Sequence, residues 1–389
     1  MSSLRYADSA NYCGATFFTF LPTLSAQEGL SVSYENYFFP FTPGSDWRNS
    51  NLLAIQSNMA NRQMMKSVVY SKYGSAEVLK ENEIEIPAVT DNQVLLKVHA
   101  VSINPADWHF MRGTPYLVRL QAGLLKPKNG SFGLDMAGVV EAVGKNVSEF
   151  KIGDEVFGES QGALSEFAVI SKDQLVMKPV GLNFEQAAAV PMVGYTALQG
   201  LRDKGQIQAG DRVLVVGASG GVGTFAVQIA KSYGAEATGV CSTRNVEMVK
   251  SIGADHVIDY TRENFFESGE KFDLIIQTAG NYSLKQLRKT LTPNGVLVQA
   301  GDSSGTKAAF GFGIILGLLR ILFITRFTKQ RIPFFLARRS KADLIVLKGL
   351  IEAGKLKPVI DRSYPMSEVA QAVRYLESGH ARGKVVITL

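Results

Sequence analysis

The run Val213-Leu-Val-Val-Gly217-Ala-Ser-Gly220-Gly221-Val-Gly223 carries the residues whose types and spacing most directly imply chemistry. An apolar, β-branched run passes straight into glycines and then into a helical pattern. A pyrophosphate needs such a turn, because glycines tolerate unusual φ and leave no Cβ in its way, and a helix start offers free N–H groups and a positive dipole end. Ser219, Gly220, Gly221, Val222 and Gly223 supply that set, which predicts a dinucleotide-binding turn between Gly217 and Gly223. Written as G-x-G-x-x-G, the first position is Ala218, so the motif draws its weight from the strand and helix around it.

The end of the next strand selects the dinucleotide. NAD sites usually place Asp or Glu there to hold the ribose 2′-hydroxyl. This chain reads Val240-Cys241-Ser242-Thr243-Arg244, with no carboxylate in the run. The hydroxyls of Ser242 and Thr243 and the fork of Arg244 suit a 2′-phosphate, so NADPH is expected in preference to NADH. Ser242 also has the type of a helix N-cap, and the two roles are compatible.

Metal chemistry has little to draw on. The only cysteines are Cys13 and Cys241, which excludes a disulfide framework and a Cys-rich zinc site and fits a reducing cytoplasm. Of the four histidines, His99, His109, His256 and His380, no two stand at i, i+4. No metal site is expected. The net charge of +6 is spread along most of the chain, with one concentration over Arg320 to Lys341, and points to no nucleic-acid partner.

These residues need a scaffold, and 389 residues with 46% hydrophobic and 20% charged content allow two packed cores. From Lys66 the sequence reads as short strands, at Ser67 to Tyr70, Gln93 to Val101, Gly138 to Val143, Asp154 to Phe157 and Leu164 to Ile170. After Pro179, helical spacing appears over Phe184 to Val190 and Gly194 to Arg202. Strand and helix then alternate: strands at Arg212 to Val216, Ala237 to Cys241, His256 to Asp259, Leu274 to Thr278 and Val296 to Ala300, and helices at Val222 to Tyr233 and Asn245 to Ile252. That alternation predicts a doubly wound α/β unit with a parallel sheet. Amphipathic helices follow at Ala342 to Ala353 and Ser367 to Glu377. The closing strand, Lys384 to Leu389, needs a host sheet, and the β unit at 66 to 190 is the expected one. Residues 1 to 63, rich in Phe, Tyr, Ser and Asn and without clean periodicity, read as a poorly ordered extension or an upstream stretch included by a misplaced start codon. Asp8, Glu28, Glu35 and Asp46 argue against a transit peptide.

Several blocks in order resemble the zinc-free branch of the medium-chain dehydrogenase/reductase superfamily, the quinone oxidoreductase-like proteins. They are Asn104-Pro105-Ala106-Asp107 with Gly113, Gly133-Leu-Asp135-Met-Ala-Gly138-Val-Val-Glu141-Ala-Val-Gly144, Phe150-Lys-Ile-Gly153-Asp154, Pro191-Met-Val-Gly194-Tyr-Thr196 and Ala381-Arg-Gly383-Lys384. The resemblance implies a GroES-like catalytic domain over 64–190, completed by about 335–389, and a Rossmann domain over 191–334, with the active site between them. It implies Asn104 and Thr196 near the nicotinamide end, Gly220 to Val222 on the pyrophosphate, and Ser242, Arg244 and Tyr260 around the 2′-phosphate. Thr278, Ala300, Gly301 and Phe335 would line the nicotinamide, and Lys384 would approach from the closing strand. Zinc-dependent relatives carry a Cys near position 104 and Gly-His-Glu where this chain has Leu134-Asp135-Met136. Without that Lewis acid, the expected reaction is hydride donation to an electrophilic quinone or α,β-unsaturated carbonyl.

No clear proton donor emerges. His109 lies in the segment that walls the substrate pocket in such enzymes and has the type of a general acid, or is a loop histidine; Tyr116 is a weaker candidate. Trp108 stacks on a planar acceptor or belongs to the core. Ala308 to Thr325 is apolar but interrupted by Arg320 and three glycines, which suits a lid or interface helix better than a membrane span. An interface helix is compatible with a homodimer. Peripheral membrane contact through 308–341 is a further reading, and with the missing acid it leaves open a catalytically weak, NADPH-binding regulatory or membrane-associated protein.

Overall fold

A computed structural model of the chain describes residues 63–300, 328–333 and 335–389. The extension expected over 1–63, except Gln63, lies outside the described residues, as do Gly301 and the apolar stretch 308–325.

Strands β1 (Met64–Val69) and β2 (Lys80–Glu85) form an antiparallel ribbon. β2 reads Lys-Glu-Asn-Glu-Ile-Glu and is almost wholly exposed, so it carries no apolar alternation by which the sequence would reveal it. β3 (Gln93–Ile103) is the spine of the larger sheet, burying Val94, Leu96 and Val98 on alternate positions. Helices α1 (Pro105–Arg112) and α2 (Val118–Ala122) follow, then β4 (Asp135–Val143), β5 (Glu155–Glu159), β6 (Phe167–Ser171) and β7 (Leu175–Met177).

After α3 (Phe184–Ala188) and α4 (Pro191–Gln199) comes a five-stranded parallel sheet. Its elements are β8 (Arg212–Val216), α5 (Gly221–Ser232), β9 (Glu236–Cys241), α6 (Val246–Ser251), β10 (His256–Asp259), β11 (Phe272–Gln277), α7 (Leu284–Lys289) and β12 (Leu291–Gln299). Their order, β10-β9-β8-β11-β12, reverses between β8 and β11, which makes the carboxyl ends of those strands the switch point where ligands bind.

The chain ends through α8 (Lys341–Glu352), β13 (Ile360–Pro365), α9 (Val369–Glu377) and β14 (Lys384–Thr388). β14 pairs antiparallel with β3, Val385 opposite Ile103, and joins a seven-stranded sheet ordered β13-β14-β3-β4-β5-β7, with β6 beside β3. The chain therefore leaves the first sheet, builds the second and returns. One apolar cluster joins Ala100, Ala137, Phe157 and Val386 of the first sheet to Val193, Leu198, Val215 and Phe225 of the second unit. That shared core fixes the two sheets around the site.

Candidate active site

The glycine turn is built for close approach. Gly217 has φ +86, and a Cβ there would lie 2.7 Å from both the Thr278 hydroxyl and the Ala279 methyl. A Cβ on Gly223 would sit 2.1 Å from the Gly217 carbonyl oxygen, so α5 reaches β8 only because that position is bare. A Cβ on Gly220 would meet only the Gly217 carbonyl oxygen, at an unstrained 3.5 Å, at the N-cap of α5, where no side chain caps the helix. A bare, uncapped helix start of this kind fits a pyrophosphate. Ala218 also finds its reason here: a Cβ on Gly239 of β9 would come within 3.0 Å of the Ala218 methyl, so the pair Ala218 and Gly239 share one space.

At the end of β9, Asn245 links two of the expected residues. Its buried amide donates to the hydroxyls of Ser219 (3.0 Å) and Ser242 (3.2 Å), tying the glycine turn to the end of the second strand. Ser242 itself makes no capping bond. Arg244 is exposed and donates to the His380 carbonyl at 3.1 Å. Tyr260 stands half-exposed beyond β10. Thr243 differs from expectation: its hydroxyl donates to Asp259 at 2.5 Å and lies 2.8 Å from the Thr261 hydroxyl, so it is already engaged. Asp259 thereby brings a carboxylate beside a run that has none in sequence. Hydrogen bonds from Thr243 and Thr261 and the charge of Arg262 hold it below the usual carboxylate range, against the opposing effect of burial.

Around the expected nicotinamide end, the Thr278 hydroxyl donates to the carbonyls of Val216 (2.9 Å) and Gly217 (3.2 Å) and so fastens the glycine turn at the switch point. Thr196 is buried in α4 and donates to the Met192 carbonyl at 2.7 Å. The Ala300 N–H extends β12 by donating to Gln277. Phe335 packs over Gly200 and belongs to the rim of the core.

Buried charged groups gather where β3, β4 and β14 meet α1. Asn104 ends β3 and begins α1, with Pro105 at the first helical position and the Asp107 carboxylate accepting the Asn104 N–H at 2.7 Å. The Asn104 amide donates to Asp135 at 2.9 Å and its oxygen accepts from Lys384 at 2.5 Å. Lys384 lies 3.7 Å from Asp135, and its stem runs within 3.0 Å of where a Cβ on Gly221 would be. Nearby, Arg339 pairs with the buried Glu159 at 2.6 Å. Asp107, Asp135 and Glu159 are thus buried with one buried cation, Lys384, while the exposed Arg339 reaches Glu159 from the surface. Burial pushes Asp107 up to about 8, aided by the charges of Asp135 and Glu159, and pushes Asp135 up to about 7 against the pull of Lys384. Burial lowers the Lys384 ammonium, opposed first by Asp135 and then by Asp107.

A cavity of about 340 Å³ opens beside this cluster, walled by Tyr70, Asp107, Phe110, Phe132, Gln161 and Arg339 among others. Burial and the nearby Asp107 charge push the Tyr70 hydroxyl up to about 12. Trp108, His109 and Tyr116 are not among its lining residues. His109 Nδ1 lies 2.7 Å from the Thr114 carbonyl oxygen, a bond in which the ring must donate, and its ring stacks on Trp108 at 3.8 Å. Its other nitrogen is therefore an acceptor in the neutral imidazole. Trp108 packs against the β core. Tyr116 is exposed, with the Arg119 guanidinium over its ring. Asp107, the buried carboxyl on this wall, was not among the residues that sequence reasoning put forward. Its signal was present in Asn104-Pro-Ala-Asp107, a capping box that buries its own carboxylate.

Residues 90–180 match the alcohol dehydrogenase GroES-like domain, and residues 252–387 match the zinc-binding dehydrogenase family. The mitochondrial NAD(P)H oxidoreductase RTN4IP1 of Mus musculus is 35% identical over 367 residues, spanning 86% of this chain and 92% of the relative. The chain belongs to the medium-chain dehydrogenase/reductase superfamily. Another member, the chloroplastic NADPH-dependent alkenal/one oxidoreductase of Arabidopsis thaliana, is 34% identical over 343 residues, covering 83% of this chain and 79% of that one. The quinone oxidoreductase of Coxiella burnetii superposes with a TM-score of 0.71 at 29% identity, over 84% of this chain and 100% of its own. Membership makes the protein a nicotinamide-dependent oxidoreductase. The zinc in one matching family's description does not fit the residues here. Asn104 and Asp135 offer an amide and one carboxylate already turned on the Lys384 ammonium, with neither thiolate nor imidazole. No helix among the described residues is long and apolar enough to cross a membrane.

Proposed function

We propose that this member is an NADPH-dependent reductase that delivers hydride to a quinone or an α,β-unsaturated carbonyl and draws on no metal. The observation that carries the reading is Asp107: a buried acid on the wall of a cavity, joined through Asn104 and Lys384 to the first turn of the dinucleotide helix. NADPH, when bound, supplies the hydride. Each hydride delivered to an enone or quinone needs a proton on the acceptor, and a carboxyl held neutral near pH 7 can donate one and be reprotonated from solvent. The Asn104 N–H orients that carboxyl, and the nearby Lys384 charge offsets the one it leaves.

The preference for NADPH rests on Arg244 and Ser242 at the end of β9, a charged fork and a hydroxyl suited to a 2′-phosphate. Lys384 and the glycine turn Gly217 to Gly223 would hold the rest of the cofactor. The relatives named for quinone and alkenal/one reduction support the acceptor class. Steady-state oxidation of NADPH and NADH against a panel of quinones, enones and simple alcohols tests the proposal. Turnover with quinones or enones, preferring NADPH, is expected. Protein that binds NADPH yet turns over none of these acceptors would overturn it.

A further inference from the structure

The segment between Asp107 and Asp135 has a surface that neither cofactor nor acceptor explains. From Trp108 to Leu134 it contains Arg112, Arg119, Lys126 and Lys128 and not one Asp or Glu, and of these cations Arg112 is paired with Glu377 of α9. It also holds the densest group of exposed leucines among the described residues: Leu117 at 52%, Leu120 at 65%, Leu124 at 66% and Leu125 at 91% of full exposure. Scattered exposed leucines are ordinary, but four within nine residues are a patch.

The backbone explains how they are displayed. Leu117, the N-cap of α2 with helical backbone angles, and Leu120 within the helix stand i, i+3 and hence on one side of it. The helix stops at Gly123, whose φ is +122, and the Lys128 N–H donates to the Ala122 carbonyl at 2.7 Å. That bond closes the chain back on the helix end and leaves Leu124 and Leu125 at the tip of a tight loop, next to exposed Lys126 and Lys128. Arg119 is held between the rings of Tyr73 (4.5 Å) and Tyr116 (4.7 Å), which stiffens the base of the patch. The same segment lends Gln121, Ala122 and Asn129 to the cavity wall, and Lys128 borders both the cavity and the patch.

We infer that residues 117–128 form a docking surface for an anionic lipid bilayer, with the leucines entering the headgroup boundary and Lys126 and Lys128 meeting lipid phosphates. Apolar tips flanked by cations without acids match that partner in both solvation and charge. A second copy of this chain is a poor occupant, because a two-fold contact would set two acid-free basic segments against each other. The bilayer would then lie directly outside the cavity, at the surface where lipophilic acceptors are dissolved; this last consequence alone rests on the proposed function.

Co-sedimentation of the full chain with phosphatidylcholine vesicles, with and without phosphatidylglycerol, tests the surface without dinucleotide or acceptor present. Binding only to the anionic vesicles, weakened by salt, is expected. Leu124→Gln with Leu125→Gln should abolish most of it, and Lys126→Glu should cost about fivefold or more, from roughly 1 kcal/mol per basic residue at such a surface. Retained NADPH affinity in the double leucine variant shows that it is folded, and failure of turnover in any variant bears on the acceptor reading instead. No binding by the native chain overturns the inference. So does binding that the leucine variant leaves unchanged, which would move the contact elsewhere, for example to 308–341. A dimer in gel filtration that the same variant dissolves would assign the leucines to self-association and overturn it equally.

Discussion

The Lys384 ammonium lies 3.7 Å from the Asp135 carboxylate, in a place where neither side chain is more than 3% exposed. Residues from β14 and β4 thus share one buried charge balance, with the Asn104 amide between them. Removing one partner of a buried pair strands the other and typically costs about 3–5 kcal/mol. Lys384→Met is therefore expected to lower unfolding free energy by about that amount. Adding Asp135→Asn should restore part of the loss. Denaturant titrations of the two single variants and the double variant check the coupling, and strictly additive losses would disprove it.

Two glycines of the dinucleotide turn should fail in different ways. Gly223→Ala sets a methyl 2.1 Å from the Gly217 carbonyl oxygen, where only backbone movement can make room. A loss of about 1–3 kcal/mol in stability follows. Gly220→Ala meets nothing nearer than 3.5 Å, so the free protein should melt as the native one does. Its methyl stands in the space a pyrophosphate needs, and NADPH affinity should fall about tenfold or more, corresponding to about 1.4 kcal/mol. Calorimetric melting beside cofactor titration separates the two.

Arg244 is tested by cofactor discrimination. Arg244→Ala should weaken NADPH by about 1.5–3 kcal/mol, the range for a hydrogen bond to a charged group, and leave NADH unchanged. Fluorescence titration with both dinucleotides reads this directly. An equal loss for both would mean that Arg244 acts through its bond to the His380 carbonyl and not on the 2′-phosphate.

Asp107 should leave a signature in pH. Its carboxyl stands at about 8 in the folded chain against an ordinary value of 3.8, raised chiefly by burial. A folded value above the unfolded one favours the native state at low pH, and this contribution is lost as pH rises toward about 8. Between about pH 4 and 8 the melting temperature should therefore fall, and Asp107→Asn should flatten part of that fall. With an enone acceptor, turnover should decline above about pH 8 in the native enzyme. In Asp107→Asn it should be low at every pH, with NADPH affinity kept. A variant that retains the native pH profile would remove Asp107 from the proton-donor role.

Where one residue's neighbours along the chain settle its fate, reading the sequence sufficed. Strands β8 and β10 carry the bounds expected for them: β8 is a buried, continuous apolar run of the kind that parallel strands show, and β10 is a short edge strand whose Val257 and Ile258 lie between polar ends. The glycine turn was legible for the same reason. β2 and β13 were not, since mostly exposed strands such as Lys-Glu-Asn-Glu-Ile-Glu lack a periodic apolar face. The engagement of Thr243 was hidden too, because Asp259 is 16 residues away and reaches it only across the β9 and β10 pairing.

The sequence by itself determined a glycine turn between strand and helix, the superfamily and the need for the last strand to find a host sheet, all of which rest on local order and spacing. Only the tertiary structure decided which groups are charged together. Lys384 and Asn104 are separated by 280 positions, and they meet because β14 closes against β3. Buried ionisation depends on distance and desolvation, which are properties of the folded chain, so Asp107, a helix-cap carboxyl on the cavity wall, came into view only in the fold, whereas sequence alone brought forward His109.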